Sequence, residues 1–88
     1  MVDLLLPLRE QFALVGGSHA QRDIFERVLL ESALAAGRAP LARALSAERV
    51  DQKPASPYNW NVHARAMDLA GEPSAAAAAR YKAATLAA

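Results

Sequence analysis

The sequence predicts an all-α fold of about five antiparallel helices, one preceding helix followed by two helix-turn-helix repeats. The composition favours helix: alanine is the commonest residue, leucine and arginine follow, and β-branched residues are scarce. Glycines and prolines divide the chain into segments whose apolar residues keep helical spacing. Landmarks also recur at one offset, because Gly37-Arg38 and Gly71-Glu72 stand 34 residues apart, as do Ala42 and Ala76.

The first helix is expected over Leu4 to Leu14, with Pro7 in its first turn or kinking it, and Gly16-Gly17 ends it. Ser18 then reads as a cap, with Gln21 completing a capping box, for a helix from His19 to Ala36. Its apolar positions Ile24, Phe25, Val28, Leu29 and Ala33 share helical spacing. Gly37 suits the left-handed conformation that ends a helix. The next helix runs from Ala39 or Pro40 to Gln52, and Pro54 closes the unit. Ser56 caps the fourth helix and Pro57 opens it, with its end at Ala70 before Gly71. Pro73 opens the last helix, which runs to about Leu86. The single domain thus divides into an N-terminal helix and Gly-Gly turn (1–17), a first repeat (18–56) and a second repeat (57–88).

Several function classes lose support at once. A domain this short buries only roughly 60–65% of its unfolded surface, so its stability is marginal, and no cysteine is present to staple it. The same absence removes thiol nucleophiles and thiolate zinc sites. Ten Lys or Arg against nine Asp or Glu leave a net charge of +1, which offers no field for nucleic acid or anionic membrane. The opening Met1–Pro7 lacks a basic n-region, and its apolar run is broken by Pro7 and by Arg9-Glu10. No stretch approaches the ~20 apolar residues of a membrane span. The expectation is a soluble, cytoplasmic protein with no cofactor and no metal.

Leu29, Gly37, Ala42 and Pro54 in one copy, and Trp60, Ala64, Met67, Gly71, Ala76 and Ala83 in the other, resemble the tetratricopeptide repeat, a pair of antiparallel helices. A narrower resemblance runs from Leu4 to Pro57. Gly16-Gly17-Ser18-His19-Ala20-Gln21-Arg22-Asp23-Ile24-Phe25, then Leu41–Arg49 and Lys53–Pro57, resemble the C-terminal part of the tetratricopeptide repeat protein 38 family. That resemblance implies a helical repeat protein with no enzymatic activity to carry over. Because Met1 stands where a family member would have many residues behind it, the chain reads as a detached C-terminal segment or a short paralogue. Ala39-Pro40 also departs from the longer polar turn expected there.

Repeats of this kind stack into a right-handed superhelix whose first helices line a concave face. By repeat position that groove carries Ile24, Arg27, Val28, Glu31 and Leu34 in copy one, and Tyr58, Asn61, Val62, Arg65 and Asp68 in copy two. The candidate partner-binding residues are Arg27, Glu31, Tyr58, Asn61 and Arg65. Arg27, Asn61 and Arg65 together suit a peptide carboxylate, since guanidinium groups bind carboxylates through paired hydrogen bonds. Ordinary solvated helix residues are the competing explanation. The apolar first helix, rich in leucine, and the alanine face of the last, Ala75 to Ala79, are candidate surfaces for self-association or a partner.

Catalytic candidates are few. His19 and His63 lie far apart with no carboxylate at metal-ligand spacing; His19 suits a cap, and His63 occupies a position where such repeats place leucine. Ser18 lacks a glycine elbow and partnered His and Asp. Gly16-Gly17 lacks the further glycines or lysine of a phosphate loop. Trp60 and Tyr58 read as core and groove residues. The expectation is therefore a non-catalytic protein-protein interaction module, with two alternatives. Gly37–Ser46 resembles the opening of a helix-turn-helix DNA-binding regulator, although Pro54 and Pro57 fall where the recognition helix would lie. An accessory domain of an enzyme is the other, with reactive groups supplied by another chain.

Overall fold

In the computed structural model the described residues form five helices: α1 (Val2–Val15), α2 (His19–Ala35), α3 (Ala39–Gln52), α4 (Pro57–Leu69) and α5 (Pro73–Ala87). It describes the backbone of residues 2–15 and 19–88 and the side chains of residues 2–9 and 22–88. The Gly16-Gly17 turn, the Ser18–Gln21 capping box and the side chain of His19 lie outside the described residues. Among the described residues there is no strand, and no helix is long and apolar enough to cross a membrane.

The punctuation read from the sequence sets the ends. Gly37 and Gly71 have φ of +70° and +78°, the left-handed region that side chains with a Cβ avoid. At the end of α2, the Gly37 N–H donates to the Leu34 carbonyl (3.1 Å) and the Arg38 N–H to the Ala33 carbonyl (2.9 Å). At the end of α4, Gly71 donates to Asp68 (3.1 Å) and Glu72 to Met67 (2.8 Å). Both are Schellman motifs, and donors and acceptors match at the 34-residue offset. Because these bonds close the last turn, α2 and α4 end at Ala35 and Leu69, one residue before the expected ends. A Cβ at Gly71 would meet nothing within 4 Å, so Gly71→Ala carries only the conformational cost. We expect it to lower unfolding free energy by about 1–2 kcal/mol, read by urea titration.

Proline and serine open the later helices. The Ser56 hydroxyl accepts from the Asn59 N–H (3.4 Å), with Pro57 in the first position of α4, where its missing N–H is not needed. Pro7 departs from that pattern: it lies inside α1, which starts two residues earlier than expected. Without an N–H it leaves the Asp3 carbonyl unpaired within the helix, while the Asp3 carboxylate anchors the helix start to Arg38 at 2.9 Å.

Each helix packs on the next, and α2 also touches α4. The Cα trace measures 37 × 26 × 15 Å. Two helices of Cα radius about 2.3 Å with axes about 10 Å apart span roughly 15 Å, so the molecule is two helix layers thick. Its first core gathers Val2, Leu29, Leu30, Ala33, Ala42, Leu45, Val62 and Ala66. Between α4 and α5 the filling is smaller, with Ala64, Met67, Ala76 and Ala79 flanked by Trp60. Burial repeats with the sequence: Leu30 and Ala64, Ala33 and Met67, Ala42 and Ala76, and Leu45 and Ala79 are pairs 34 apart in which both members are buried.

Candidate functional site

Helices α2 and α4 meet along a line of polar residues. Glu31 and Arg65, which occupy the same position of successive repeats, form an ion pair with Nη1 2.9 Å from Oε1. The Tyr58 hydroxyl donates to the same Glu31 oxygen at 3.2 Å. On the ring face, the Arg27 guanidinium carbon sits 4.1 Å from the Tyr58 centroid, a cation–π contact. Burial, then the charge and hydrogen bond of Glu31, push the Tyr58 phenol above its usual pKa, so it remains a donor. Arg27, Val28, Glu31, Ser32, Ala35 and Tyr58 line an open groove of about 510 Å³.

Four of the five candidate residues, Arg27, Glu31, Tyr58 and Arg65, are thus joined in one cluster. Asn61 is exposed on the same helix as Arg65, with no hydrogen bond to the cluster. Three of the wider groove assignments lie elsewhere. Val62 is buried in the first core, and Leu34 packs against it. Asp68 pairs with Arg80 of α5. Val28, 44% exposed, lines the groove, and Ile24 is 62% exposed on the same helix.

Two polar knots under the surface went unread in the sequence. Arg49, whose side chain is only 11% exposed, binds Asp23 at 2.8 Å and donates from Nε to Asn59 Oδ1 at 3.0 Å. Asn59 is buried and donates to the carbonyls of Arg49 and Lys53, both at 3.2 Å, which ties the end of α3 to the start of α4. Burial alone would raise the Asp23 pKa, but the hydrogen bond and charge of Arg49, aided by Lys53 and Arg27, bring it below the usual value. A capping serine followed by Pro and, three residues on, Asn was a visible signal for this join; its partners on α2 and α3 were not.

The second knot pairs buried Ser46 with His63. The Ser46 Oγ lies 3.1 Å from the Arg43 carbonyl and 2.8 Å from His63 Nδ1. A hydroxyl has one hydrogen; donating it to the carbonyl leaves Oγ to accept from a protonated Nδ1. Trp60 meets the His63 ring edge-on at 6.1 Å, and its Nε1 donates to the Pro54 carbonyl at 2.7 Å. Although a serine and a histidine in contact suggest a nucleophile, the Ser46 side chain is fully buried, out of reach of a substrate in this structure. Burial, then the neighbouring Arg43, hold the His63 pKa below its usual 6.5 against an opposing pull from Glu72. The unfolded chain therefore takes up this proton more readily than the folded one, so the His63 contribution is present above pH 6.5 and is lost as pH falls through the lowered value. Urea titrations should show stability falling on acidification below about pH 6.5, and His63→Phe should remove that step.

No group of three His, Asp or Glu positioned to hold a metal occurs among the described residues. Compared with known proteins, the chain matches no family model and no solved structure. The groove brings together an aromatic ring, paired charges and the exposed Val28.

Proposed function

We propose that this chain is a non-catalytic protein-interaction module of the tetratricopeptide type that holds a peptide segment in the α2–α4 groove. The observation that carries the proposal is the Glu31–Arg65 pair: equivalent residues of two 34-residue units stand side by side. Such a pairing is what stacking of successive helix pairs produces, and the matching Schellman motifs at Gly37 and Gly71 support the same arrangement. In this reading the stack is a right-handed superhelix, α2 and α4 are its concave face, and α1 belongs to an end of the array.

The groove would take an extended or helical segment with an apolar residue against Ile24 and Val28 and a carboxylate toward Arg27 and Arg65. Arg27 and Arg65 are about half exposed; Asp23 lies 3.7 Å from Arg27 and Glu31 2.9 Å from Arg65, so a ligand carboxylate would share each guanidinium with an existing partner. Peptides selected from a random display library should bind the wild-type chain saturably. The double change Arg27→Glu and Arg65→Glu should weaken them by about tenfold to a hundredfold, as expected for lost charge-assisted hydrogen bonds. Since exposed ion pairs contribute little to stability, the variant should keep its helical circular dichroism. Unchanged affinity would assign binding elsewhere, with Leu4 and Leu8 of α1 and Tyr81 of α5 as the exposed apolar surfaces to map next.

A further inference from the structure

A second concavity lies on another face of α2, between α1, α2 and α3, and shares no lining residue with the groove. We infer that it binds a small phosphate-bearing molecule through Arg22 and Lys53. The pocket holds about 370 Å³ and is lined by Arg9, Arg22, Asp23, Glu26, Glu48, Arg49, Gln52 and Lys53.

Charge in the pocket is unevenly matched. Four cations face three carboxylates, a balance of +1. Every carboxylate is already engaged: Arg9 binds Glu26 at 2.8 Å and also Glu48, and Arg49 binds Asp23 at 2.8 Å. Arg22 and Lys53 have no carboxylate within ion-pairing distance among the described residues, although the Lys53 charge acts on Asp23 at longer range. Backbone carbonyls at the end of α3 would repel an anion, but the buried Asn59 amide occupies those of Arg49 and Lys53. What remains open is a pair of donors suited to a dianion, with a guanidinium fork for its oxygens and an ammonium as a point charge. The volume lies at the lower end of the range for small-molecule sites, so room remains beyond a phosphate group for an attached polar body beside Gln52.

Calorimetric titration of the full chain with inorganic pyrophosphate tests the inference. Saturable binding at one site is expected, in the millimolar range or tighter, and Arg22→Gln and Lys53→Gln should each weaken it about tenfold. Neither residue belongs to an ion pair among the described residues, so both variants should fold, checked by circular dichroism. Arg65→Gln, in the peptide groove, should leave the affinity unchanged. No saturable heat up to roughly ten millimolar, or an equal loss in all three variants, would overturn the site. Sedimentation with phosphatidylcholine vesicles carrying phosphatidic acid separates the two sources of phosphate. Co-sedimentation that the Arg22→Gln, Lys53→Gln chain loses assigns a lipid headgroup, and pyrophosphate binding without co-sedimentation assigns a soluble phosphate.

Discussion

Arg49→Ala should destabilise the chain by about 3 kcal/mol, the cost of opening a buried, hydrogen-bonded charge cluster from one side. The change removes the partner of Asp23 and leaves Asn59 Oδ1, in a fully buried residue, with no donor. It also removes the second guanidinium facing Tyr58, whose carbon lies 5.7 Å from the ring centroid. For a domain of this size the loss corresponds to a fall in Tm of roughly 12–24 °C, read by circular dichroism. Arg49→Lys should recover only part of it, because an ammonium on a flexible stem does not reproduce both bonds of the fork. The same cluster makes the chain sensitive to acid. With its folded pKa lowered, Asp23 contributes stability above pH 3.8, and that contribution disappears as pH falls through the lowered value.

A comparably large loss is expected at one repeat position, and with opposite substitutions in the two copies. Leu30 and its counterpart 34 residues on, Ala64, are both completely buried. Leu30→Ala opens a cavity among Leu29, Ala42, Leu45 and Val62, and should cost about 2–5 kcal/mol. Ala64→Leu instead forces a larger side chain between α4 and α5, where Met67, Ala76 and Ala79 pack closely, and should cost about 1–3 kcal/mol. Urea unfolding of the two variants measures both. Near-neutral behaviour of Ala64→Leu would show that the alanine-rich half is loosely packed.

Features legible in the sequence are those set locally. Gly37 and Gly71 take positive φ because only glycine does so without strain, and Ser56 with Pro57 caps and opens α4 by chemistry contained in a few residues. Such signals place helix ends to within a residue or two. The 34-residue offset relates Glu31 to Arg65, and these two form an ion pair between α2 and α4. Polar partners chosen across helices were not legible. Whether Arg49 reaches Asp23 or solvent, and whether Asp68 faces the groove or Arg80, depends on how the helices cross and rotate, which a periodicity of apolar residues does not fix. Val62 shows the same limit: a rotation of about 100°, the step between neighbouring helix residues, separates a groove residue from a core residue, and it falls on the core side. Nor does a helical pattern announce a pocket, since the one containing Arg22 and Lys53 exists only where three helices converge.

The most direct test of the peptide-binding proposal is nuclear magnetic resonance mapping of a display-selected peptide on the isotopically labelled chain. If α2 and α4 form the binding face, the largest amide shifts will cluster at Arg27, Glu31, Tyr58 and Arg65, and the Arg27→Glu, Arg65→Glu chain will lose them. Shifts confined to α1 or α5, or a selection that yields no saturable binder, would contradict a groove built for peptides.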